Sequence, residues 1–110
     1  MTQPLIELGG RGALVHVAPA NGFPPHSYRP ALEPLLPDHR VVCLPPRALW
    51  PEVGPPPDTP GSWTTLADDL LAGMRAYDLP PLIAVGHSFG GIASLLAAVR
   101  DRSRFRGTKV

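Results

Sequence analysis

An α/β fold, a parallel sheet of three or four strands flanked by helices, is what the sequence predicts, and three observations carry that prediction. Short apolar runs recur at residues 13–18, 40–44 and 82–85, each closed by proline or glycine. Such unbroken apolar runs suit strands covered on both faces rather than strands with one wet face. Helical spacing of apolar residues follows each run, and a β-α-β-α-β-α order implies parallel strands joined by right-handed crossovers.

The elements justify themselves in turn. Residues 5–8 suit a short edge strand ended by Gly9 and Gly10. The run Ala-Leu-Val-His-Val-Ala at 13–18 stops at Pro19 and is expected to lie between the other two main strands. Asn21-Gly22-Phe23-Pro24-Pro25 is then a turn by composition. Ser27 is the expected N-cap of a helix whose apolar face is Tyr28, Leu32, Leu35 and Leu36, shortened or kinked by Pro34. After the strand at 40–44 comes a loop over residues 45–62 that holds seven of the chain's 16 prolines, with Trp50 as its large apolar side chain. Ser62 or Thr64 is expected to cap a second helix with Leu66, Leu70, Met74 and Tyr77 on one face. The strand at 82–85 leads into a third helix at 90–100 that is apolar almost all round, as a helix buried on a sheet would be. Residues 105–110 suit the approach to a further strand that the chain is expected not to complete.

Composition narrows the function classes. The chain has 110 residues, enough for one small domain, 1–110, expected to be truncated at its C-terminus. A net charge of +1 gives no footprint for nucleic acid or an anionic membrane surface. The uncharged stretch 82–99 is long enough to raise a membrane span, but glycines and His87 interrupt it, and a strand, a sharp turn and a buried helix read better. The N-terminus lacks a basic and then apolar leader, so the expected compartment is the cytoplasm. Cys43, the single cysteine, excludes an internal disulfide and reads as a buried inert thiol. No metal or organic cofactor is implied, because no ligand cluster or phosphate-binding loop is present.

The residues that carry chemistry are Gly86-His87-Ser88-Phe89-Gly90. A nucleophilic hydroxyl must stand clear of the backbone, and a strand that turns directly into a helix lifts it, at the cost of strain at the serine. Strand and helix then nearly touch, so Gly86 and Gly90 have to be small, and Gly91 extends that requirement into the helix. Ser88 stands at the helix N-terminus, where the Phe89 N–H is placed to donate to an oxyanion. A second donor is expected from the turn after the 13–18 strand, with Phe23 N–H the choice. His87, next to Ser88, points to the opposite face and reads as a support of the elbow.

With the 17–24 segment, the 40–44 strand and the 85–91 elbow, the chain resembles the N-terminal part of the α/β-hydrolase superfamily, in its esterase- and lipase-like branch. Members commonly carry His-Gly where this chain has Asn21-Gly22. The resemblance implies a serine hydrolase of ester, thioester or amide bonds with a small ester-like substrate. It also implies a downstream acid and then a histidine. After Ser88 stand one carboxylate, Asp101, and no histidine. Asp101 is expected in the helix that the elbow opens, about three turns from Ser88 and more than about 15 Å away by helical rise. Of the four histidines before Ser88, only His26 is near enough in the chain to the oxyanion turn to be weighed as a base or substrate contact. Trp50 either shapes the substrate mouth or anchors its loop on the sheet. The chain alone is therefore expected to be inactive. The alternatives are a non-catalytic α/β binding or interaction module and a half-enzyme completed by a complementing chain.

Overall fold

The computed structural model describes residues 3–20, 22–47, 50 and 63–110. Its strands are β1 (Ile6–Gly9), β2 (Ala13–Ala18), β3 (His39–Cys43), β4 (Leu82–Gly86) and β5 (Phe105–Lys109). Its helices are α1 (Arg29–Leu32), α2 (Trp63–Ala76) and α3 (Phe89–Arg100), with 3₁₀ turns at Pro25–Tyr28, Glu33–Leu35 and Arg102–Arg104. The strands form one sheet in the order β1-β3-β2-β4-β5. β2 is parallel to both β3 and β4, and sits between them as the sequence predicts. The sheet is wider than expected. The edge strand β1 forms, antiparallel to β3, and the last segment does complete a strand, β5, parallel to β4.

Alternation along the strands sorts the core into two layers. Leu14, Val42, Leu82 and Ala84 pack with Leu70, Leu71 and Met74 of α2 and with Ala93 and Ala97 of α3. Val15, Val17, Val41 and Cys43 face the other way, onto Leu8 and Leu32. The helices thus cover both sides of a mostly parallel sheet, as the apolar runs required.

Three local expectations need correction. Ser27 does not cap α1: it lies inside the 3₁₀ turn that Pro24 introduces, and its hydroxyl donates back to Pro24 O at 2.6 Å. The helix that follows is four residues long before Pro34 passes it into a 3₁₀ turn, as proline's missing N–H demands. The α3 helix buries Gly90, Gly91, Ala93, Ser94 and Ala97, yet its opposite stripe is at the surface, with Ile92 44%, Leu95 43% and Val99 78% exposed. Thr64 stands within α2, and Ser62 lies outside the described residues. Among the described residues no helix is long and apolar enough to cross a membrane; residues 82–99 divide into β4, a turn and α3.

Candidate active site

Parallel strands bring their C-terminal ends to one edge of the sheet, and the candidate site is built there. The β2–β4 ladder closes on Ala18 opposite Gly86. One residue later His87 N–H donates to Ala18 O at 3.0 Å, and α3 starts at Phe89. Ser88 joins the two with φ 53 and ψ −113, a backbone region that side-chain-bearing residues rarely enter. Its carbonyl is already helical, accepting from Gly91 N–H at 2.9 Å and Ile92 N–H at 3.2 Å. The strain predicted for a strand-to-helix nucleophile is therefore present at the serine itself, and costs about 1–3 kcal/mol.

The glycines allow this path. A Cβ on Gly86 would lie 2.4 Å from Gly91 Cα, and one on Gly90 would lie 2.1 Å from Ala18 O. Both obstacles are backbone and cannot rotate away. Gly91 is different, since its Cβ would meet Val110 Cγ1 at 2.5 Å, the end of a side chain that can move.

The turn after β2 packs directly on this elbow. Phe23 N–H donates to Ala20 O at 3.1 Å, with Gly22 at φ +83, the value that a type II turn places at its third residue. Ala20 N–H donates to the Tyr28 hydroxyl at 2.9 Å, and that hydroxyl is 2.9 Å from His87 Nδ1. The Phe23 ring meets the His87 ring edge-on, with centroids 5.4 Å apart. Sequence reasoning treats Phe23 N–H as an open donor, whereas here the turn itself uses it. The sequence pattern places Tyr28 only on the apolar face of a helix. A partly buried tyrosine needs a partner for its hydroxyl, which is the signal that marks it. That the partner stands at 87 is not legible from spacing.

The histidines occupy separate places. His16 is fully buried on β2, and its Nε2 accepts Leu44 N–H at 2.9 Å. Burial outweighs that bond's influence and lowers its pKa to about 4, so the ring is neutral. His39 pairs with Ala13 at the far end of the sheet from the elbow. His26 is exposed in the 3₁₀ turn Pro25–Tyr28. No histidine or carboxylate among the described residues is hydrogen-bonded to the Ser88 hydroxyl. Asp101 lies beyond the far end of α3, held below the usual carboxylate range by hydrogen bonds from Ser103 and by Arg104 and Arg75. Cys43 is fully buried, and burial pushes its thiol up to about 12, the inert condition expected of it.

Trp50 is half-buried. Its indole N–H donates to Pro45 O at 2.8 Å, and the Arg47 guanidinium lies over its ring at 5.4 Å. Arg47 in turn pairs with Asp69 of α2 at 2.7 Å. These contacts tie Trp50 to its own loop and, through Arg47, to α2. Nearby, a cavity of about 30 Å³ lies between the ends of β2 and β3 and the two long helices, with Pro19, Pro45, Leu70 and Phe89 in its walls. That is room for about one water-sized group.

This arrangement has counterparts. The sequence profile of the Alpha/beta hydrolase family matches residues 14–109. The chain belongs to the α/β-hydrolase family. No curated protein matches the sequence. Among solved structures, an N-formylmaleamic acid deformylase from Pseudomonas putida S16 superposes with a TM-score of 0.76 at 25% identity, covering 94% of this chain and 40% of its own. An N-acyl homoserine lactone degrading enzyme has a TM-score of 0.77 at 19% identity, covering 96% of this chain and 39% of its own. An epoxide hydrolase from Vigna radiata reaches 0.80 at 17% identity, over 94% and 34%. The last two show a shared fold and no more. In each case the 110 residues span well under half of the α/β-hydrolase they match.

Proposed function

We propose that Ser88 is the nucleophile of a serine hydrolase acting on ester, thioester or amide bonds. The observation that supports this best is the backbone of Ser88, held at φ 53 between two glycines whose neighbours leave no room for a Cβ. A fold does not keep such a residue strained in an element junction without compensation, and the gain here is an outward hydroxyl. The Ser88 Oγ attacks the carbonyl carbon, its proton passes to a base, and the carbonyl oxygen becomes an oxyanion at the N-terminus of α3. Phe89 N–H and Phe23 N–H stabilise that charge. In the resting chain Phe23 N–H serves Ala20 O. An oxyanion outcompetes a neutral carbonyl for it, because charge-assisted hydrogen bonds are roughly twice as strong. Collapse of the intermediate expels the alcohol, thiol or amine and leaves an acyl-serine for water to cleave.

The base and its orienting acid, in this reading, come from outside these 110 residues, in the same or a complementing chain. Two facts favour that: the positions of the four histidines, and the share of the matched α/β-hydrolases that the chain spans. The test treats the chain and Ser88→Ala with a fluorophosphonate probe, with and without added imidazole, and reads adducts by intact mass. Labelling that needs imidazole and vanishes in the variant is the expected result. Labelling without imidazole overturns the external base, and no labelling of folded chain in either condition overturns Ser88 as nucleophile.

A further inference from the structure

The buried N–H of Ala20 raises a question that leads to the elbow. β2 ends at Ala18, Pro19 has no N–H, and Ala20 is only 8% exposed. A buried amide beyond the end of its ladder must find another acceptor. It finds the Tyr28 oxygen, at 2.9 Å. With that oxygen accepting, the Tyr28 O–H is left to donate, and His87 Nδ1 is 2.9 Å away. Ala20 N–H donates to Tyr28, and we assign the second contact as Tyr28 O–H donating to an unprotonated Nδ1, the tautomer that carries its proton on Nε2.

We propose that Tyr28 and His87 form a strap that sets the position of the Phe23 turn relative to Ser88. The strap joins two segments far apart in sequence but each one step from the reacting atoms. His87 is the residue before Ser88. Ala20 supplies the carbonyl that holds Phe23 N–H at 3.1 Å. The rings close a triangle around the same point, with Phe23–Tyr28 centroids at 6.1 Å and Tyr28–His87 at 5.8 Å. Because His87 is exposed, the hydrogen bond between its ring and Tyr28 competes with water. The edge-on ring contacts are what keep the imidazole facing the hydroxyl. Tyr28 and His87 touch no substrate in this scheme; they are positioning residues, and their bearing on the reaction rests on the proposal that Ser88 and Phe23 N–H act together. A misplacement of about 1 Å between nucleophile and oxyanion donor costs on the order of 100-fold in rate.

The test is made on the 110-residue chain by amide hydrogen exchange and imidazole ¹⁵N shifts, neither of which needs Ser88 to react. His87→Ala removes a side chain whose hydrogen bond is to Tyr28 and not to Ala20, yet the strap requires exchange at Ala20 N–H to rise at least about tenfold. His87→Asn, which offers an acceptor near the lost Nδ1, restores most of the protection. In the unmodified chain His87 Nδ1 reads as the acceptor nitrogen, and Tyr28→Phe removes that signature. Unchanged Ala20 exchange in folded His87→Ala, or a protonated Nδ1 in the neutral ring, overturns the strap. The imidazole-assisted labelling rate of Ser88 is then compared between the unmodified chain and Tyr28→Phe. A fall of at least about tenfold supports the positioning role, and an unchanged rate overturns it. If Ser88 does not label at all, the nucleophile proposal fails while exchange and ¹⁵N shifts still decide the strap.

Discussion

Gly90→Ala tests the geometry on which the site depends. Ordinarily alanine favours a helix over glycine by about 1 kcal/mol. At Gly90 the new Cβ would lie 2.1 Å from Ala18 O, 2.4 Å from Ala18 C and 2.7 Å from Pro19 O. All three are backbone, so relief requires the start of α3 to move about 1 Å off the end of β2, an overpacking cost of about 1–3 kcal/mol. That same Ala18 carbonyl accepts His87 N–H at 3.0 Å, and displacing it forfeits about 1 kcal/mol more. Set against the helical gain, the net expectation is a destabilisation of about 2 kcal/mol. Gly107→Ala on β5 is the control, because a Cβ there meets nothing within 4 Å. Urea denaturation followed by far-UV circular dichroism measures both. Gly90→Ala within about 0.5 kcal/mol of the parent, or Gly107→Ala as costly as Gly90→Ala, would refute the close approach of helix and strand.

Two further outcomes are expected. Ser88→Gly should be more stable than Ser88→Ala by about 1 kcal/mol, since glycine relieves a strain of about 1–3 kcal/mol and gives part of it back as unfolded-state entropy. Equal thermal midpoints for the two variants would contradict the φ of 53 at this residue. His16 makes stability depend on pH: its folded pKa of about 4 lies below the ordinary 6.5, so the unfolded chain takes the proton first. Its contribution is whole above pH 6.5 and is lost as pH falls towards 4, by roughly 3 kcal/mol in all. Urea midpoints that stay flat between pH 6.5 and 4.5, or a slope that survives His16→Gln, would rule this out.

Much of the site was legible because its demands fall on neighbours in sequence. Small residues two before and two after the serine, an apolar strand before and an apolar helix after, are local facts, and Gly86, Ser88 and Gly90 stand where that reasoning puts them. The order of the three main strands was equally accessible, since parallel connections restrict the choices. What escaped was tertiary. The capacity of Tyr28 to bridge Ala20 and His87 depends on a loop folding back over the elbow, and hydroxyl direction has no sequence signature. The engagement of Phe23 N–H is a matter of turn closure, decided by the conformation at Gly22. The outer stripe of α3 misled for a different reason: hydrophobicity all round a helix states what it would bury, and says nothing of what lies against it.

The place of β2 bears on how the chain comes to be made. Val15 meets Val41 on one side and Ile83 on the other, so the central strand gains its first neighbour long before its second has left the ribosome. Contacts between such distant segments are slow to form, and until β4 is in place β2 is open along one edge. The turn at Ser88 exists only when β4 fills that edge, because Ala18 O anchors its first residue. The proposed nucleophile is therefore among the last parts of this sheet to take shape, and a nascent chain carries the serine without the elbow.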